Sequence, residues 1–128
     1  MLLLDTCTLL WLMRGGESLS RAARDAITAS GARLFVSAIT AFEVGVKHHR
    51  GALTLPLTPL AWYERVLAFH DVEEIPVDGR IAARSTELPR LHHDPCDRII
   101  IATAQRDGLI ILTPDPLIRT YPKTQTHW

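Results

Sequence analysis

The chain has 128 residues, 47% hydrophobic and 22% charged, with 14 Lys and Arg against 14 Asp and Glu. These proportions describe one globular domain and exclude disordered and fibrous classes; at this length roughly two thirds of the unfolded surface can be buried, enough for a core without disulfides or structural metal. A formal net charge of zero removes any global attraction to nucleic acid, so an anionic partner must be held locally, for instance by Arg, which supplies 12 of the 14 basic residues.

Leu2 to Leu4 is too short an apolar run for a helix and reads as a buried strand, with Asp5 at its carboxyl end. Leu9 to Met13 continue as a short apolar helix that Gly15-Gly16 ends. Ser18 or Ser20 caps a second helix through Ala22, Ala23, Ala26 and Ile27, which Gly31 closes, and Leu34-Phe35-Val36 is the second strand. Ser37 is the expected N-cap of a helix reaching about Arg50, with apolar positions Ile39, Phe42, Val44 and Val46, and Glu43 lies inside it. Gly51 to Pro59 is a turn-rich loop, and Pro59 at a first helical position opens a helix through His70. Val72 to Val77 is a weak third strand, and Asp78 caps a helix with Ile81, Ala82 and Leu88. After a loop from Pro89 to His93, a helix starts at Asp94-Pro95 and runs to Gly108; Leu109 to Leu112 is the most strand-like run, stopped by Thr113-Pro114-Asp115. Beyond Asp115 no acidic residue follows, whereas Arg119, Lys123 and His127 do.

Apolar strands alternating with helices predict one α/β domain over residues 1–128, a three-layer α/β/α arrangement with a central parallel sheet. No apolar run approaches the ~18 residues of a membrane span. The start lacks a basic region before its apolar run, so no secretory leader is expected, and Cys7 and Cys96 read as reduced thiols of a cytoplasmic protein, each a small buried hydrophobe.

In open α/β sheets the ligand crevice lies outside the strand carboxyl ends. Asp5 and Asp115 follow strands directly, Glu43 lies on the helix after the second strand, and Asp97 is in the first turn of the helix before the last strong strand. Right-handed crossovers bring the four to one edge. Carboxylates so gathered repel one another and stay ionised only if cations neutralise them, and an all-oxygen set suits Mg²⁺ or Mn²⁺ rather than zinc. Such a site serves phosphodiester hydrolysis best. Each acid also has a plainer reading: Asp5, Asp94 and Asp115 as helix caps, Asp97 as a first-turn acid. Glu43, among Ala41, Phe42 and Val44, requires a partner, because an unpaired carboxylate there is costly. The adjacent pairs His48-His49 and His92-His93 lack zinc-site spacing and read as surface polar residues. Trp11, Phe42 and Trp62 read as core aromatics, and Trp128 is ambiguous.

The combination of Asp5-Thr6, Ser37 with Glu43-Val44 and Lys47, Asp94-Pro95-Cys96-Asp97-Arg98 with Ala102-Thr103-Ala104, and Thr113-Pro114-Asp115 resembles the PIN-domain ribonucleases, specifically VapC-type toxins of type II toxin–antitoxin modules. Gly51-Ala52-Leu53, Ile118 and Tyr121 also fall where that pattern puts them; Cys96 stands where an aromatic is usual, and Pro114 stiffens the last motif. The resemblance implies an Mg²⁺-dependent endoribonuclease with Asp5 and Asp97 as main metal ligands, Glu43 as a further ligand or water-orienting carboxylate, and Asp115 as a direct or water-mediated ligand. It further implies that Thr6 and Thr113 hydrogen-bond metal waters or a phosphate, that Asp94 is an accessory acid or cap, and that Arg98 contacts a carboxylate or RNA. The partners it implies are RNA, a second copy in a homodimer, and a cognate VapB-type antitoxin whose C-terminal segment occupies and inhibits the acidic groove. Two other readings stand beside it. One is a PIN-like binding module without hydrolysis. The other is a phosphatase with Asp5 as nucleophile, whose expected second aspartate would fall at Cys7.

Overall fold

The computed structural model describes all residues from Met1 to Trp128. The elements are β1 (Leu2–Leu4), α1 (Thr6–Met13), α2 (Arg21–Thr28), β2 (Leu34–Ser37), α3 (Ile39–His49), α4 (Pro59–His70), β3 (Val72–Ile75), α5 (Gly79–Glu87), α6 (Pro95–Asp107), β4 (Ile110–Leu112) and β5 (Gln125–His127), with a 3-10 turn at Ile118–Thr120. All strands are parallel in the order β3-β2-β1-β4-β5, with Leu3 opposite Phe35 on one side and Ile111 on the other.

Because strand side chains alternate, the run Leu2-Leu3-Leu4 serves both faces of the sheet. Leu2 and Leu4 join Leu34, Val36, Val72 and Leu112 against Leu9, Ala23, Val44, Trp62 and Val66. Leu3 joins Phe35, Ile75 and Ile111 against Ile100, Ile101, Ala104, Ile118 and Tyr121 on the other face. Two cores flank one sheet, which is the three-layer arrangement expected from continuously apolar strands. No helix is long and apolar enough to cross a membrane.

Strand order reverses at β1: the chain leaves it for β2 and β3 on one side and returns to β4 and β5 on the other. That switch point splits the connections leaving the carboxyl ends of β1 and β4 and opens a crevice there. Asp5 and Thr113 are the first residues beyond those two strands.

The helix starts follow local chemistry. Ser20, Thr58 and Asp78 accept from the backbone N–H groups of Ala23, Ala61 and Ile81. Gly108, at φ 64°, ends α6 in the left-handed conformation that glycine adopts without penalty.

Several boundaries differ from the sequence expectations. Asp5 caps α1, so that helix starts at Thr6 rather than Leu9. The second helix stops at Thr28, and Gly31 lies in the following turn. Ser37 closes β2 and Ala38 is the N-cap of α3, although the Ser37 hydroxyl still accepts from Ile39 N–H at 3.2 Å. The buried stripe of α3 is Thr40 and Val44, while Phe42 is 62% exposed. Trp62 is core, Trp11 is partly buried, and Trp128 packs on Trp11 with ring centroids 5.7 Å apart. The strand β5 has no counterpart in the sequence reading, because Gln-Thr-His carries no hydrophobic signal and forms only by pairing with β4.

Candidate active site

The switch-point crevice is a cavity of about 400 Å³ lined by Asp5, Thr6, Cys7, Glu43, Lys47, Asp94, Asp97, Pro114, Asp115 and Pro116. All four sequence-predicted acids therefore meet there, with Asp94 as a fifth. Lys47 is the one cation of the lining.

Capping and site geometry turn out to be compatible, since a carboxylate has two oxygens. Asp5 Oδ1 accepts the Thr8 N–H at 2.7 Å, capping α1, while Oδ2 accepts the hydroxyl of Thr113 from beyond β4. The same Thr113 oxygen accepts the Asp115 N–H at 3.0 Å, so one hydroxyl ties the ends of β1 and β4 together. Asp115 Oδ1 accepts the Leu117 N–H at 2.8 Å and leads into the terminal 3-10 turn, leaving Oδ2 toward the groove. Asp94 caps α6 through the Cys96 N–H at 2.8 Å. Asp97, in the third position of α6, makes no capping bond; its carboxylate contacts the ring of His92.

Burial pushes the Asp5 carboxyl above the ordinary range, against the hydrogen bonds from Thr113 and Thr8, and repulsion by Asp115 adds to the rise. Burial, with the nearby charges of Asp94 and Glu43, pushes Asp97 up to about 7, and His92 opposes this. Glu43 Oε2 is 3.6 Å from Lys47 Nζ, one helical turn on, but Oε1 is buried without any hydrogen-bond partner. The partner expected for Glu43 is thus half present. Cys7 and Cys96 rise to about 11, each chiefly through burial and then through the negative charge of Asp5 or Glu43 respectively. At neutral pH both are held in the protonated thiol form.

Three more of the expected residues are engaged within the protein itself. Arg98 contacts no carboxylate: it donates to the carbonyls of Ser85, Thr86, Leu88, Pro89 and His92 and to the Tyr121 hydroxyl, closing off the C-terminal end of α5. Thr113 is fully buried, and its hydroxyl donates to Asp5 and accepts the Asp115 N–H. Thr6 pairs with the Thr40 hydroxyl at 3.0 Å, joining α1 to α3.

His92 is the residue that sequence reasoning missed. Its side chain is 11% exposed, and Nε2 lies 3.1 Å from Asp115 Oδ2 and 2.9 Å from Asp97 Oδ2, so these three residues bring ligand-type atoms within 4.8 Å of one another. The only sequence cue is its position two residues before the helix-capping Asp94. Metal-site spacing rules test for several ligands on one element and are blind to a histidine that joins acids from two.

A family model for the PIN domain matches residues 2–123. The chain is a PIN domain. This PIN domain is 33% identical to Ribonuclease VapC22 of Mycobacterium tuberculosis, over 98% of its own length and 97% of the relative's. Among solved structures it resembles a chain of a toxin–antitoxin complex from Klebsiella pneumoniae, with 26% identity, TM-score 0.66, and coverage of 97% of this chain and 95% of that one. A chain from Rickettsia felis VapBC2 bound to a promoter DNA fragment shares the fold at 13% identity and TM-score 0.71, covering 98% and 96%. The PIN domain thus belongs to the VapC branch of its family, as its motifs suggest.

Proposed function

We propose that this protein is a cytoplasmic, metal-dependent endoribonuclease, the toxin of a type II toxin–antitoxin module. The observation that carries the reading is the convergence of Asp5, Glu43, Asp94, Asp97 and Asp115 on one groove with Lys47 as its sole cation. A buried Glu43 oxygen without a donor, and a carboxyl at Asp97 raised by burial and by the charges of Asp94 and Glu43, suit a site built for a cation. The donor set is carboxylate oxygen, which suits Mg²⁺, with Mn²⁺ as substitute. Asp5, Asp97 and Asp115 would hold it, with Glu43 as the fourth carboxylate. When bound, the ion supplies charge stabilisation on a phosphoryl oxygen and activation of water.

The chain's own residues provide the rest. Thr8 and Thr113 hold both Asp5 oxygens in fixed directions, so the central carboxylate has little freedom to reorganise. Lys47, 43% exposed, places a point charge where the backbone of a bound RNA strand enters the acidic groove. Hydrolysis by water leaves a 5′-phosphate and a 3′-hydroxyl; a 2′,3′-cyclic product means attack by the ribose instead.

The name of the Mycobacterium relative as a ribonuclease and the toxin–antitoxin complexes among similar structures support the same activity and a VapB-type antitoxin here. Phe42, Leu60 and Phe69 on α3 and α4 are 62%, 67% and 79% exposed, apolar surface that a protein partner, antitoxin or second copy, would cover.

The test is cleavage of a structured RNA mixture by protein freed of antitoxin, in Mg²⁺ and in EDTA, beside Asp5→Asn. Cleavage by the wild type in Mg²⁺ alone is the expected result. A wild type as inert as the variant, and binding no Mg²⁺, would leave a binding module in place of the enzyme.

A further inference from the structure

His92 is fixed through its backbone and through both ring nitrogens, by residues at the start of α6 and on the segment after β4. Its backbone N–H donates to the Tyr121 hydroxyl at 2.9 Å, and its carbonyl accepts from Arg98 Nη1 at 3.2 Å. Its ring Nδ1 accepts the Asp94 backbone N–H at 3.2 Å. A backbone N–H can only donate, so Nδ1 carries the lone pair and the ring proton sits on Nε2. That N–H is then aimed at Asp115 Oδ2, 3.1 Å away, with Asp97 Oδ2 at 2.9 Å from the same nitrogen.

The loop that presents this ring is itself clamped. Arg98 Nη1 also donates to the Pro89 carbonyl at 3.0 Å, which the Tyr121 hydroxyl reaches at 2.8 Å. The guanidinium grips carbonyls from Ser85 to Leu88 just before the loop. Asp115, in contrast, sits on the irregular segment after β4, 30% exposed, and has only the Leu117 N–H besides His92 to orient its side chain.

We infer that His92 is a positioning residue of the site: its Nε2–H holds the loop-borne Asp115 carboxylate beside the helix-borne Asp97. The consequence for rate rests on the nuclease reading above, but the placement of the two acids does not. A proton on Nε2 also separates this role from that of a metal ligand, which would need that nitrogen bare. Arg98 and Tyr121 act through His92, by holding its backbone.

The experiment compares wild type, His92→Ala and His92→Gln, whose amide nitrogen reaches the place of Nε2, with thermal unfolding as a check on folding. Three readouts are taken: the ring tautomer by long-range ¹H–¹⁵N correlation in metal-free protein, Mn²⁺ affinity by EPR titration, and RNA cleavage in Mg²⁺. The expected outcome is an Nε2–H tautomer, Mn²⁺ affinity and cleavage each lowered about 10- to 100-fold in His92→Ala, and most of the loss restored by His92→Gln. An Nδ1–H tautomer, or undiminished Mn²⁺ affinity in His92→Ala, overturns the inference. So does equal loss in both variants, which makes His92 a ligand. If the tautomer and Mn²⁺ pattern hold while the wild type cleaves no RNA, the nuclease reading falls and the positioning role stands.

Discussion

Asp115 and Glu43 line the same groove and are held in different ways. Asp115 follows a strand on irregular backbone, and both of its oxygens are engaged, one by the Leu117 N–H and one by His92. Glu43 rides in the middle of α3, 13% exposed, with Lys47 near one oxygen and nothing on the other. A helix fixes its side chains' origins through its own backbone bonds, so Glu43 is aimed without being tied and keeps an oxygen free for a ligand. A loop provides no such frame. Asp115 therefore needs hydrogen bonds to stay in place, and the Leu117 N–H and His92 provide them to its carboxylate. The first kind of carboxylate keeps an unpaired buried oxygen at an electrostatic cost; the second gives up part of its hydrogen-bonding capacity to be placed at all.

The largest expected effect removes the acid common to both walls: Asp5→Asn lowers Mg²⁺-dependent RNA cleavage by about 100-fold or more, measured as single-turnover rate. The contrast between the walls is tested next by substituting each acid in metal-free protein. Asp115→Ala lowers unfolding stability by about 1 kcal/mol, because the Leu117 N–H loses its cap. Glu43→Leu leaves stability unchanged or raises it, since an unpaired buried oxygen disappears, while Mn²⁺ affinity falls. Equal stability losses in the two variants would erase the distinction drawn here.

The pH dependence sharpens it further. Asp97 titrates at about 7 in the folded chain against 3.8 unfolded, so between these values the folded state binds more protons. Stability of the metal-free protein therefore falls as pH rises from about 4 to about 7, by up to about 1.4 kcal/mol per pH unit for one proton. Asp5, also raised, contributes in the same direction. Thermal midpoints from pH 4.5 to 8 check this, and Asp97→Asn is expected to remove most of the slope. The smallest effect concerns the thiols: with Cys7 and Cys96 at about 11, iodoacetamide at pH 8 alkylates them about 100-fold more slowly than a free cysteine.

Much of this molecule is local information. Leu2-Leu3-Leu4 followed by Asp5 specifies a doubly buried strand with an acid at its end, and Ser20, Asp78 and Asp94 mark helix starts by capping chemistry that spans three residues or fewer. The convergence of Asp5, Glu43, Asp97 and Asp115 was legible because parallel sheets with right-handed crossovers gather strand ends on one edge. The face that α3 buries is not legible in the sequence, because Phe42 and Val44 are both apolar and spacing alone gives no reason to bury one and expose the other.

Length, patterning and caps, all properties of neighbouring residues, determined the α/β class, the order of most elements and the identity of the acids. The tertiary structure alone decided which partners those acids meet. Pairing of β5 with β4, the turn of Arg98 toward carbonyls of α5, and the insertion of His92 between Asp97 and Asp115 join residues that packing brings together. A hydrogen bond depends on distance and direction in space, and His92 and Asp115 are separated by 23 positions along the chain.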